Sequence, residues 1–227
     1  MRDARKSINS LNCSGEMLTT LSGFLGLNRG IPRTVIETAT RSPSGGNLQP
    51  WHLHVVTGDA LARLKALMQE KVSKGFNEVP EYEIYPPKLQ SPYRDRRFEI
   101  GELMYRRLDI PREDKAARFE WFKRNFEFFG APVGLFCTVD DNMGPPQWSD
   151  LGMILQTIML LLRAEGLDSC AQESWSVYPK TISEFLGLPE HRKVFAGMAI
   201  GYANPDSPVN QLTSPRAPLS ENVEFIS

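Results

Sequence analysis

The chain has 227 residues, of which 26 are Lys or Arg and 27 are Asp or Glu, so its formal net charge is −1. A hydrophobic share of 41% suffices for a packed core and excludes a disordered chain. With no surplus of basic side chains to neutralise phosphates, nucleic acid is not an expected partner. In chain order, Pro32–Arg41 reads as a helix with proline in its first turn, and His52–Thr57 as a strand. Asp59 is expected to cap a helix running to Val72, with Leu61, Leu64 and Met68 on its apolar side. Residues 76–97 hold Pro80, Pro86, Pro87 and Pro92 between tyrosines, which predicts an ordered aromatic loop or lid. Helices are expected over Glu99–Leu108 and Arg112–Phe128, a strand over Val133–Val139, and an apolar helix from Gln147 to Glu165. Ser169–Trp175 is read as extended, Lys180–Leu186 as a short helix, Val194–Tyr202 as a buried strand and Glu221–Ile226 as a strand-like tail. This mixed order indicates an α+β fold. A doubly wound sheet is disfavoured because no glycine fingerprint follows a strand.

The apolar run Leu151–Leu162 is too short for a membrane span of roughly 20 residues, and no secretory leader is visible. Cys13, Cys137 and Cys170 lack metal-site or disulfide spacing, which fits a reducing cytoplasm. The arginines from Arg94 to Arg112 read as a solvated face paired with Glu99, Glu102, Asp109 and Glu113. His52 and His54 point to one face of their strand but have no further ligands in view. Asp140–Asp141 reads as turn chemistry.

The densest chemical signal is Pro43-Ser44-Gly45-Gly46-Asn47-Leu48-Gln49-Pro50-Trp51. Adjacent glycines let a ligand approach the backbone closely, while Ser44, Asn47 and Gln49 offer donors and acceptors. None of these side chains is a good nucleophile or base, so the loop suits holding a polar planar ring.

This loop resembles the flavin-contacting loop of the nitroreductase family of FMN-dependent homodimeric oxidoreductases. The likeness extends to Asn125–Leu135, Gln147-Trp148-Ser149-Asp150-Leu151-Gly152, Gln156, Gln172-Glu173-Ser174-Trp175, Gly197–Tyr202, Pro208-Val209-Asn210 and Arg216-Ala217-Pro218-Leu219. The resemblance implies one nitroreductase domain over residues 31–227, with a central mixed or antiparallel sheet flanked by helices in an intertwined homodimer. Residues 76–97 would be its lid, and 218–227 a tail reaching the partner subunit. It further implies that Pro43, Ser44, Gly45, Asn47 and Gln49 contact the FMN ring and ribityl chain. Glu173 and Ser174 would present backbone donors near flavin N5 and O4, and Arg216 would grip the phosphate. Tyr82, Tyr93, Trp148 and Trp175 would line the pocket for a small aromatic substrate, with NADH or NADPH as reductant. The implied reaction is nitro reduction to hydroxylamino products in two-electron, ping-pong steps. Reduction of quinones or enones, dehalogenation, and flavin binding without catalysis stay open as alternatives.

One stretch departs from the family pattern. Members usually carry an Arg-Arg-Ser-x-Arg cluster upstream of the loop, where residues 1–30 here offer Thr20 and Ser22 as phosphate donors. Replacing charged donors by hydroxyls weakens phosphate binding by roughly 1.5–3 kcal/mol per contact, unless another cation such as Arg29 substitutes.

Overall fold

The computed structural model describes residues 31–227. Thr20, Ser22, Cys13 and Arg29 lie outside the described residues. Helix α1 (Arg33–Ala39) follows Pro32 and buries Val35 and Ala39. Strand β1 (His52–Thr57) has the expected limits. Helix α2 (Gly58–Ser73) buries Leu61, Leu64, Met68 and Val72 along one face. Its N-cap position falls on Thr57, and Asp59 sits inside the first turn, where its charge faces the positive end of the helix dipole.

Helix α3 (Tyr93–Arg107) begins earlier than expected. All four prolines of the 76–97 stretch lie at or before position 92, so none obstructs a helix after it. Helix α4 (Lys115–Lys123) is capped by Asp114, whose carboxylate accepts from the Ala117 amide at 2.8 Å. The expected continuation to Phe128 is a 3-10 segment, Arg124–Gly130, in which Phe128 and Phe129 take φ of 52° and 50°. Phe126, Phe128 and Phe129 are all buried. One α-helical face could not sink three rings at that spacing, and the left-handed turn does.

Strand β2 (Val133–Asp140) leads to helix α5 (Pro145–Ala164), which starts on two prolines that need no helical N–H partner. Strand β3 (Asp168–Gln172) stops short of Trp175, because Glu173–Val177 is a 3-10 turn. Helix α6 (Pro179–Leu186) and strand β4 (Arg192–Gly201) complete the core. The expected C-terminal strand is instead one helical turn, α7 (Leu219–Asn222), followed by irregular chain. No strand among the described residues pairs with this tail, and Phe225 and Ile226 stand 84% and 90% exposed.

The four strands form one antiparallel sheet in the order β1-β2-β4-β3. Cys137 of β2 faces Ala196 and Thr138 faces Val194, so Phe195 is an extra, unpaired residue in β4. The bulge reverses the side-chain alternation. Ala196, Met198 and Ile200 pack with α1 and α5 on one face, whereas Val194 packs with α2, α6 and the 3-10 turns on the other. On that second face Gly134 and Gly197 make room for rings. A Cβ at these positions would fall 2.5 Å from the Phe128 ring and 2.2 Å from the Trp175 ring. No helix among the described residues is long and apolar enough to cross a membrane.

Candidate functional site

The Pro43–Trp51 loop connects α1 to β1. Its centre is a 3-10 turn over Gly45–Asn47. Gly46, Asn47 and Gln49 take φ of 57°, 58° and 51°. Such conformations are costly for Asn and Gln and need local bonds to hold them. Ser44 Oγ accepts from the Gln49 amide at 2.9 Å, and Gln49 Nε2 donates to the Asn47 carbonyl at 3.1 Å. The Gly45 amide donates to Asp150 of α5, 3.3 Å from each carboxylate oxygen. Ser42 Oγ meets Thr157 of the same helix at 3.0 Å. These bonds turn Gly45 through Gln49 outward, all exposed, with open space around the Cβ positions of Gly45 and Gly46. The loop therefore presents amides and a bare backbone to solvent.

A second polar element is the turn after β3. Gln172 is buried and locked, its amide donating to the Asn125 carbonyl at 2.9 Å while its Oε1 accepts from Trp175 Nε1 at 3.3 Å. Ser176 Oγ donates to the Glu173 carbonyl at 2.8 Å. Ser174 Oγ is buried and has no hydrogen-bond partner, an arrangement that costs free energy unless a ligand supplies the partner. Desolvation raises the Glu173 carboxyl above its usual range although the side chain reaches the surface.

The structure brings two of the four expected pocket residues together. Tyr82 and Trp148 meet edge to face, with ring centroids 5.3 Å apart, and both pack on Phe195. The Tyr82 hydroxyl donates to the Phe195 carbonyl, at the residue that the bulge leaves out of register. Burial pushes the Tyr82 phenol up to about 12. Tyr93 stands apart, 63% exposed at the start of α3. Trp175 does not line a pocket. It is fully buried, stacked on Phe128 at 4.4 Å against the Gly197 backbone. An aromatic next to an expected ligand-binding turn reads as a stacking surface, yet here it is the support beneath the turn.

Sequence reasoning also misses how the 76–97 segment is fastened. Glu78 accepts from the Lys180 and Thr181 amides at 2.8 and 3.1 Å and from the Thr181 hydroxyl, capping α6 from a distance in sequence of more than 100 residues. Phe76 packs on Phe119, Phe122, Phe126 and Tyr178, and Tyr178 Oη donates to the Gly75 carbonyl at 3.2 Å. A helix start without its own side-chain cap, as at α6, is the one signal that could suggest a remote carboxylate.

Arg216 is exposed, and its Nη1 bonds to Ser214 and Pro215, 2.6 Å from Ser214 Oγ. Among the described residues it forms no ion pair with a carboxylate. The basic stretch around α3 is balanced, but by other partners than expected. Arg94 pairs with Asp95 and Arg96 with Glu221, while Arg97 and Arg112 lie over the Tyr85 and Phe98 rings at 3.8 and 5.0 Å. Asp140 is engaged by Arg192 at 2.5 Å. His54 meets Thr138 at 3.1 Å, and no cluster of metal-ligating residues occurs among the described residues. Cys137 and Cys170 are buried, and neither forms a disulfide among the described residues.

Residues 32–202 match the Nitroreductase family. A 4-nitrobenzoate reductase from Pseudomonas putida is 37% identical over 84% of this chain and 83% of its own length. A nitrobenzene nitroreductase from Ectopseudomonas oleovorans is 34% identical over 86% of each chain. Among solved structures, the FMN and NADPH-dependent nitroreductase NfnB from Sphigopyxis sp. strain HMH is 40% identical and superposes with a TM-score of 0.91 over 99% of both chains. The family match, the identities and the superposition agree over most of the chain, and this chain belongs to the nitroreductase family.

Proposed function

We propose that this protein is an FMN-dependent oxidoreductase that uses NADPH or NADH to reduce nitroaromatic compounds. The observation that carries this reading is the near full-length likeness, at 40% identity, to an FMN and NADPH-dependent nitroreductase. The donor set suits the cofactor. Ser44, Asn47 and Gln49 with Pro43 and Gly45 offer amides and backbone to a planar ring. The buried, unpartnered Ser174 hydroxyl and the Glu173 turn offer a polar edge. Arg216 offers a guanidinium to a phosphate.

When bound, FMN supplies hydride acceptance from the nicotinamide and hydride donation to the nitro group. The overall balance is one nitroarene, two NAD(P)H and two protons giving one hydroxylamine, two NAD(P)+ and one water. This chain's residues bind and orient. The loop would hold the ring, the backbone of Glu173 and Ser174 would present donors to its polar edge, and Tyr82 and Trp148 would give a planar substrate aromatic faces to stack on. Nicotinamide and nitroarene would occupy one pocket in turn, which predicts ping-pong kinetics.

A homodimer completes the arrangement. Helix α5 exposes Gly152, Met153, Gln156 and Leu160 along one stripe, an apolar surface on a central helix that a second copy would cover. The lid over 76–97 and the tail over 218–227 belong to the single domain 31–227, with the exposed Phe225 and Ile226 directed to the partner. Buried thiols without a disulfide among the described residues fit a cytoplasmic protein.

The test is anaerobic. Purified protein carrying FMN should lose its flavin colour with NADPH or NADH and regain it with 4-nitrobenzoate, and the hydroxylamine should accumulate. Absence of bleaching by either nucleotide overturns the proposal, and recovery with quinones but not nitroarenes redirects it to the quinone-reductase alternative.

A further inference from the structure

The carboxylate of Asp150 is 3% exposed, and the Gly45 amide is the partner it holds. No Lys, Arg or His pairs with it among the described residues, and it lies beyond the first turn of α5, where the helix dipole helps little. A buried charge with so little compensation lowers stability, so its position calls for a compensating task.

The loop above it supplies that task. Gly46, Asn47 and Gln49 all sit in the left-handed region, and two of them carry side chains. Conformations of this kind persist only where the surroundings over-determine them. Two residues of α5 do so. Asp150 holds Gly45, and two helical turns on Thr157 holds Ser42. Four other bonds, from the Gln49 amide to Ser44 Oγ, from Gln49 Nε2 to the Asn47 carbonyl, from the Asn47 amide to the Ser44 carbonyl and from the Leu48 amide to the Gly45 carbonyl, lie inside the loop and do not tie it to α5.

We propose that Asp150 is a positioning residue for the cofactor. Its carboxylate anchors the Gly45 amide from below, so that the loop keeps its strained form before any ligand arrives and Asn47 and Gln49 stay exposed to it. This inference rests on the reading that the loop holds FMN. It makes the acceptor oxygen, and not the charge, the essential feature, since Asn at this position can still accept from Gly45.

The test compares the wild-type protein with Asp150→Asn, Asp150→Ala and Asp150→Leu, the last filling the volume in case the alanine variant fails to fold. Leu162→Ala serves as a control, a core change in the same helix away from the loop. FMN dissociation constants are read from flavin fluorescence, and thermal midpoints from the apoproteins. Asp150→Ala and Asp150→Leu should weaken FMN binding by roughly tenfold or more, Asp150→Asn by less than about threefold. Leu162→Ala should lower the midpoint while leaving the affinity of the folded protein unchanged. The proposal is overturned if Ala and Leu bind FMN as wild type does, if Asn is as weak as Leu, or if the control loses affinity equally. A wild-type protein that binds no FMN overturns the reading of the loop itself, a result separable from any of these.

Discussion

Two pairs of glycines in this molecule do opposite things. Around the Cβ positions of Gly45 and Gly46 there is open space, whereas those of Gly134 and Gly197 are filled by the rings of Phe128 and Trp175. The first pair lies on an exposed loop fastened from beneath by α5, and the second on adjacent central strands under a stacked aromatic pair. Missing side chains therefore serve external access in one region and internal packing in the other. The lesson is that a glycine signals close approach, and only its neighbours decide whether the approaching group is a ligand or the protein itself.

Substitutions should separate the two uses. The largest effect is expected at Gly197→Ala, where the new methyl group meets a fully buried indole at 2.2 Å. Overpacking typically costs about 1–3 kcal/mol and occasionally more, and so close a clash belongs above that range, with the melting temperature falling by roughly 2–4 °C per kcal/mol. Gly134→Ala should follow in the same direction. If both variants melt like wild type, the aromatic pair is not held as described.

Next in size comes Arg216→Ala, which removes the guanidinium proposed to hold the FMN phosphate. Loss of charge-assisted bonds worth roughly 1.5–3 kcal/mol predicts FMN binding weaker by ten- to hundredfold, with the apoprotein's melting point unchanged because the side chain is exposed. Gly45→Ala should give the mirror image of Gly197→Ala. Its φ is not left-handed and its surroundings are open, so stability should hold within about 0.5 kcal/mol while FMN affinity drops. Calorimetry beside a flavin titration checks both statements, and parallel losses in stability and affinity would erase the distinction between the two glycine pairs.

The smallest effect concerns the 76–97 segment. Tyr82→Phe deletes one hydrogen bond to the Phe195 carbonyl and should cost about 1 kcal/mol. It also has a pH signature. Desolvation raises the folded-state phenol from 10.0 to about 12, so the folded protein holds that proton more tightly than the unfolded chain. The associated stability is intact below about pH 10 and disappears as pH rises towards 12. Wild type should consequently lose melting temperature more steeply than Tyr82→Phe across that window. Equal slopes would mean that Tyr82 is not buried against the bulge.

Much of the architecture is legible in the order and spacing of the residues. Strand β1 has the limits that alternation predicts, α5 starts within two residues of the expected position, and the order of elements indicates an α+β fold. The failures share a cause. Local pattern puts Phe126 and Phe128 on one continuous helix, Trp175 on an extended segment facing a pocket, and Glu221–Ile226 on a strand. Each of these depends on what the segment meets from elsewhere in the chain. The roles of Phe195 and Glu78 escape such reasoning because a bulge carbonyl and an uncapped helix start are created by other elements and leave no pattern of their own.

Local chemistry, then, is within reach of the sequence alone: which stretches bend, which alternate, where proline opens a helix, and where amides and glycines concentrate at Pro43–Trp51. Those properties arise from backbone sterics and from side-chain periodicity over a few residues. Only the tertiary structure decides that Gly197 lies beneath Trp175, that Glu78 caps α6, and that Asp150 stands under Gly45. Those pairings join residues some 22 to 105 positions apart, and close packing, not local preference, selects them.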